Sequence, residues 1–360
     1  MNLGLSEDQE LIASTARELL ESRTATAGAR AVDADPAGYS VALWKEMVDL
    51  GWPGLAFPED FGGVGGDFLD VCLLFEQLGY ALVPSPLLTS VACAGMPVAR
   101  FGTDAQKERW LGAIAEGHVV TAAPPPWDRP GDGPVAAPDG DGFTLNGTAT
   151  FVPFAASAES LLVAARLDGE PRAFWVDASA VTIRPLDTVG LDRPCHVELA
   201  DVRADDALGP EAVQAMARFG AAAVCAEMVG GAQRVLDLTV AYATEREQFG
   251  KPIGSFQAVQ HHCADMAIDV LGSRFIAYEA IWLLASGRDA ADEVSMAKAW
   301  VSEAYERVCA LGHQVHGAIG FTAEHDLHLF SRHATSAALA FGDGDQHYDA
   351  LAAALDVQDT

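Results

Sequence analysis

Residues 242–266 read YATEREQFGKPIGSFQAVQHHCADM, and the fold is decided around them. The stretch closes one long helical run and opens another. Ahead of it, ARFGAAAVCAEMVGGAQRVLDLTVAYATER (217–246) is apolar and rich in small residues, as suits a helix packed closely against others. Beyond it, the periodicity predicts helices over about 256–286, 292–314 and 325–340. Residues 209–360 therefore read as a helical bundle.

Working back from there, the texture changes between about 118 and 208. Pro and Gly punctuation separates short β-prone runs, GFTLNGTATFV, SLLVAARL, RAFWVDA and VTIRPL, with DGDGF as a turn leading into a strand. The segment APPPWDRPGDGP (123–134) reads as a polar, Pro-rich loop. The chain before residue 118 is helical again. Ser6 is placed to cap a first helix carrying acidic residues in its first turn, and Leu11, Ile12, Ala16, Leu19 and Leu20 fall at helical spacing. VALWKEMVDLGW and FLDVCLLFEQLGYAL repeat that rhythm, each stopping near a glycine. The Gly-rich GLAFPEDFGGVGGD between them could cradle a phosphate, but it reads better as a plain connection between helices.

Composition narrows the function. Half of the 360 residues are hydrophobic and a fifth are charged, the profile of a well-packed globular protein. A net charge of −29 excludes nucleic acid and anionic membrane as partners. The acidic start, MNLGLSEDQE, is unlike a signal peptide, and every apolar run is broken by charge, Gly or Pro. The expectation is a cytoplasmic protein. The six cysteines include no CxxC pair, which predicts buried free thiols and no metal. The histidines cluster after residue 260, some at i, i+3 spacing, and are read as helix-surface or nucleotide-facing groups rather than metal ligands.

Five motifs, in order, carry a resemblance: LSEDQ (5–9), LWKEMVDLGWPGLAFPEDFGG (43–63), FGTDAQKERWLGAIAEG (101–117), the opening stretch, and QVHGAIGFTAEHDLHLFSR (314–332). Across essentially its whole length the chain resembles the acyl-CoA dehydrogenase family. The resemblance implies an α+β multi-domain fold: an N-terminal helical domain (1–117), a middle β-barrel-like domain (118–208) and a C-terminal four-helix bundle (209–360). It implies FAD as cofactor and an acyl-CoA thioester as substrate. A proton leaves Cα, a hydride passes from Cβ to the flavin, and an electron-transfer flavoprotein or similar acceptor takes the electrons. In the family the flavin lies across a subunit interface. By the same resemblance Arg246 meets the FAD pyrophosphate, where a guanidinium can donate more than one hydrogen bond. Phe249 lies near the adenosine, Gln257 and Gln314 hydrogen-bond the nucleotide, and Gly317 lets the backbone approach the phosphates.

Elsewhere the chain departs from the family. Pro153 stands where a hydroxyl residue should face the flavin ring, although Phe151 can serve as an apolar wall. The usual catalytic glutamate falls at Gly342, or at Phe341 in the alternative alignment, and the base position on the earlier helix falls at Gly220. Asp343 is the nearest acid, short and displaced, and a helix cap or turn is the simpler role for it. Glu227, in an apolar helix, reads as one half of an interhelical pair. Nucleotide-gripping residues without ring-holding or base residues resemble one subunit of an α2β2 heterotetramer built from two related acyl-CoA dehydrogenase chains, such as those acting on steroid side-chain thioesters. Two alternatives stand beside that: a self-sufficient homomer using Asp343 as base, and a flavin-free scaffold.

Overall fold

The computed structural model describes residues 4–33, 35–124 and 133–355. Most of the segment APPPWDRPGDGP lies outside the described residues. Six helices come first: α1 (Glu7–Ala27), α2 (Ala29–Val32), α3 (Val41–Asp49), α4 (Phe68–Ala81), α5 (Met96–Phe101) and α6 (Asp104–Ala115). Ser6 caps α1 in a full capping box with Gln9, as the sequence suggests. Helix α3 stops at Gly51, which takes φ +75. Helix α4 instead runs through Gly79 and ends with Leu82 in the left-handed region. Its glycine has another purpose. A Cβ on Gly79 would lie 1.9 Å from the Glu227 carbonyl oxygen, and one on Gly230 would lie 1.8 Å from that of Glu76. The two glycines bring α4 and α7 (Pro210–Glu245) into backbone contact. The loop before α4 is tight for the same kind of reason, since a Cβ on Gly63 would lie 2.0 Å from the Phe57 carbonyl oxygen. It is a connection between helices.

Strands β1 (Val120–Ala123) to β8 (Ala207–Leu208) form one sheet in the order β6-β7-β3-β2-β4-β5-β8, with β1 parallel to β4. The remaining strands are β2 (Val135–Asp139), β3 (Gly142–Val152), β4 (Ser160–Leu167), β5 (Glu170–Asp177), β6 (Thr182–Pro185) and β7 (Cys195–Ala204). The DGDGF turn joins β2 to β3, with Asp139 opposite Gly142. The sheet folds around a core of its own that includes Leu145, Val163, Phe174 and Val197. Among the described residues its end strands β6 and β8 are not paired with each other, so the barrel-like sheet is open at that seam.

After α7 a two-residue turn joins β9 (Glu247–Gln248) to β10 (Lys251–Pro252) and leads into α8 (Gln257–Ala285). Then come α9 (Ala291–His316), α10 (Leu327–Leu339) and α11 (Gly344–Ala354). Helices α7 to α10 make the bundle, and α11 packs on α9 as a fifth, short member. A buried polar network fastens α4 to it: Glu76 accepts hydrogen bonds from Arg274 (2.9 Å) and Tyr278 (2.6 Å). That ion pair is largely out of solvent, so each charge depends on the other. α7 is apolar enough in length and composition to cross a membrane, but 83% of its most apolar window is buried.

Candidate functional site

Two places hold the predicted residues, and they differ in character. The first is a cleft of about 90 Å³ where the helical, sheet and bundle regions meet. Its walls include Leu82, Pro153, Phe154, Asp192, Glu227 and Phe341. Pockets for sizeable ligands run from roughly 300 Å³ upwards, so this one is too small for a flavin ring and a thioester together. Pro153 turns its carbonyl inward, where it accepts a hydrogen bond from the Thr121 hydroxyl (2.5 Å). Phe151 is 67% exposed at φ +60, an apolar face standing clear of the cleft's own walls.

Neither position for a base is open to a side chain. The Phe341 ring fills the space at Gly220: a Cβ built there would lie 2.3 Å from a ring carbon. Gly342 takes φ +99, which side-chain-bearing residues rarely adopt, and its carbonyl accepts from Lys298 Nζ at 2.9 Å. Lys298 is fully buried and also donates to the Ala338 carbonyl (2.8 Å) and the Ser302 hydroxyl (3.0 Å). Burial pulls its pKa down to about 8. His347 Nε2 donates to the Phe341 carbonyl (3.1 Å), so both carbonyls at the turn are pinned. Burial, then the neighbouring Lys298, holds the pKa of His347 down to about 4, and the ring is neutral at pH 7.

Asp343 is the N-cap of α11. Its carboxylate accepts from the Gln346 backbone N–H (2.9 Å), and it is not among the groups lining the cleft. The helix-cap reading describes its place, and no base is assigned to it. Glu227 pairs with His333 of α10 at 3.6 Å, and Tyr305 lies 3.3 Å from the other ring nitrogen. This is the interhelical pair read from the sequence. Asp192 approaches the same corner, its pKa raised by burial, and accepts from the Ser336 hydroxyl at 3.4 Å. Sequence reasoning missed Lys298, Asp192 and His333. No local signal marks them, because their partners lie far along the chain.

The second place is one end of the bundle, where the C-terminus of α7, the N-terminus of α8 and the C-terminus of α9 come together. The Tyr242 and His316 rings stack there with centroids 4.5 Å apart. Arg246 ends α7, and the Ile253 N–H donates to its carbonyl (2.8 Å), closing the β9–β10 hairpin. Its guanidinium has no hydrogen bond or ion pair among the described residues. Phe249 and Gly250 form the turn at φ +56 and +78. That pairing of left-handed residues fits a two-residue hairpin but is unusual for phenylalanine. Phe249 is also 92% exposed. Gln257 opens α8 with an exposed side chain, and Gln314 is exposed on the last turn of α9. Gly317 takes φ +63, ψ −143, a glycine-only conformation, with open space at its Cβ position. Five predicted residues thus share one solvent-facing end. A free guanidinium, a helix N-terminus, two amides, an exposed ring and an open glycine suit a nucleoside diphosphate. The cleft lining includes no such set among the described residues. Among the described residues no cluster of His, Cys, Asp and Glu could hold a metal.

Comparison with known proteins identifies the family. Residues 6–118 match the acyl-CoA dehydrogenase N-terminal domain, and residues 209–355 match the acyl-CoA dehydrogenase C-terminal domain. Acyl-CoA dehydrogenase IpdE2 of Mycolicibacterium smegmatis is 33% identical over 343 residues, covering 94% of this chain and 96% of its own. The ChsE4-ChsE5 complex of Mycobacterium tuberculosis contains a chain that superposes with a TM-score of 0.90 at 28% identity, each chain fully covered. A variant of the Tcur3481-Tcur3483 steroid ACAD superposes at 0.87 and 28% identity, covering 97% of this chain and 98% of its own.

Proposed function

Because the chain belongs to the acyl-CoA dehydrogenase family of oxidoreductases, we propose that it is the subunit that completes the FAD site of a catalytic partner chain. The partner is a related acyl-CoA dehydrogenase subunit in an α2β2 assembly. Together they perform the α,β-dehydrogenation of an acyl-CoA thioester, passing electrons to an electron-transfer flavoprotein or similar acceptor. The likeness to the ChsE4-ChsE5 complex and to the Tcur3481-Tcur3483 steroid ACAD supports two related subunits and a bulky, steroid-derived acyl group.

One observation carries this reading. Both base positions disfavour a side chain in this chain, Gly220 by the Phe341 ring and Gly342 by its φ of +99 with Gln346 and His347 beside it, whereas the nucleotide-gripping residues stand exposed. When bound, FAD accepts the hydride leaving Cβ. This chain's share is to hold its nucleotide half: Arg246 donates to the diphosphate, Gln257 and Gln314 bond the nucleotide, Phe249 covers the adenosine, and Gly317 admits the phosphates. The partner supplies the base. The self-sufficient alternative loses its footing because Asp343 is committed to capping α11.

Phe249 allows a direct test of function against fold. An exposed ring in a left-handed turn is strained and buries little, and among the described residues its aromatic contact is the edge-to-face one with Phe256 at 6.1 Å. Phe249→Asn should relieve the turn and raise the stability of the isolated chain by up to about 1 kcal/mol. The same change should weaken FAD retention by the assembled complex several-fold, measured by flavin absorbance after gel filtration. An Asn variant that destabilises the chain and leaves flavin content untouched would assign Phe249 to folding.

A further inference from the structure

At the nucleotide end of the bundle, three elements meet in a stack of rings. Tyr242 of α7 lies flat on His316 of α9, and His325 of the following turn meets His316 edge-on at 4.8 Å. His313 stacks on Phe321 at 4.1 Å beside them. The hydrogen bonds fix the tautomers. His316 Nδ1 lies 2.8 Å from the Gly312 carbonyl and must donate to it, which leaves Nε2 bare. His325 Nδ1 accepts the Leu327 N–H (3.1 Å), so its proton sits on Nε2. His313 Nε2 is engaged with the Ser331 hydroxyl at 2.8 Å. His316 can therefore gain a proton at Nε2 without breaking a hydrogen bond already made, as His313 can at its unpartnered Nδ1, but only His316 directly precedes Gly317.

We propose that His316 makes dinucleotide binding proton-coupled, its Nε2 taking a proton from solvent when the FAD diphosphate settles at Arg246 and Gly317. The inference rests on the nucleotide reading above. His316 directly precedes Gly317 and is 5% exposed, so a phosphate at Gly317 acts on it through little intervening water. Two features of the fold favour the resulting cation. The imidazolium would lie against the Tyr242 ring, and it sits in the last turn of α9, where the helix dipole favours positive charge. In the free chain the proton is withheld, because burial and then the neighbouring His325 keep the His316 pKa below its ordinary value. The ionisable groups that act on the histidines of the stack are His325 of the turn and His328 of α10, with His316 also acting on His313; in sequence Glu245 and Arg246 close α7 and Glu324 precedes His325. Since the bound state holds the proton more tightly, the gain in affinity is full below the free-chain pKa. It is lost as pH rises through the bound-state pKa.

The test is calorimetric titration of FAD into the full chain, alone and with its co-purified sister subunit, at pH 5.5 and pH 8. It is repeated in two buffers of different ionisation enthalpy to count protons. Binding should be about tenfold tighter at pH 5.5, with net proton uptake. His316→Phe, which keeps a ring in the stack, should bind FAD as the wild type does at pH 8 and show no pH dependence. His316→Gln replaces it should the Phe variant fold poorly. Equal wild-type affinities at the two pH values, or a variant that retains the wild-type profile, would overturn the proposal. Absence of FAD binding by chain and complex at both pH values would instead remove the nucleotide reading beneath it.

Discussion

Gly220→Glu, the substitution that restores a carboxylate to the earlier-helix base position, should yield a badly destabilised and inactive protein. The Phe341 ring carbons lie 2.3, 2.6 and 2.8 Å from the Cβ position, closer than any real side chain tolerates. The ring cannot swing aside cheaply, because Lys298 and His347 pin the carbonyls of residues 342 and 341 that hold it. Overpacking of this kind costs roughly 1–3 kcal/mol, and an unpaired carboxylate at a buried site adds more. The expected loss is therefore at least about 3 kcal/mol, a drop in thermal midpoint of about 5 °C or more. Phe341→Ala in the same chain should return much of it, a coupling that a double-mutant cycle reads directly. No acyl-CoA oxidation is expected from either variant on its own, since in the proposed assembly the catalytic half-site belongs to the partner chain. A Gly220→Glu chain as stable as the parent and active would contradict the account of the cleft.

Lys298→Met should also act strongly. Its ammonium satisfies three acceptors at once, two of them backbone carbonyls 40 and 44 residues further along the chain. Removing the donor leaves those carbonyls buried without partners, at about 1–3 kcal/mol apiece, offset in part by the charge that no longer has to be buried. A net loss of about 3 kcal/mol is expected. The pH dependence has a definite sign. A lysine with a native pKa of about 8, below its ordinary value of 10.5, binds a proton less readily folded than unfolded. Its burial therefore costs most below pH 8, and its contribution to stability improves as pH climbs from 8 towards 10.5. The buried cysteines, with pKa values raised by burial, push the other way in that range. The informative quantity is the wild-type stability minus that of the variant, which should grow between pH 8 and pH 10. A difference that stays level or shrinks would mean that Lys298 is not held as described.

How much of this was legible beforehand depended on distance along the chain. The Ser6 cap, the DGDGF hairpin and the strand runs at 142–152 and 160–167 rest on neighbours a few residues apart, and all are found. Strand β7 carries an alternating pattern over Cys195–Ala204 that the shorter β-prone runs overshadow. Gly79 looked like a helix stop because a glycine near a helix end usually is one. Its reason, contact with the Glu227 backbone, lies 148 residues away and leaves no local mark. The same holds at the site. Arg246, Phe249, Gln257, Gln314 and Gly317 are legible because they lie in motifs that resemble those of a known family. The loss of the base could be read as the bare presence of glycine at 220 and 342. That the Phe341 ring fills the space at 220, and that Gly342 sits at φ +99 with its carbonyl held by Lys298, are tertiary facts, and they turn a missing residue into a built feature.

The central claim is that this chain offers half of an FAD site to another subunit. The most direct measurement is the flavin-to-protein ratio, by absorbance, of the chain purified alone and co-purified with its sister subunit. Arg246→Ala is measured in the same complex. The account predicts little flavin and no acyl-CoA oxidation for the chain alone, stoichiometric flavin and activity for the complex, and at least about tenfold weaker retention for the Arg246 variant. Stoichiometric FAD and acyl-CoA oxidation by the chain alone would contradict it.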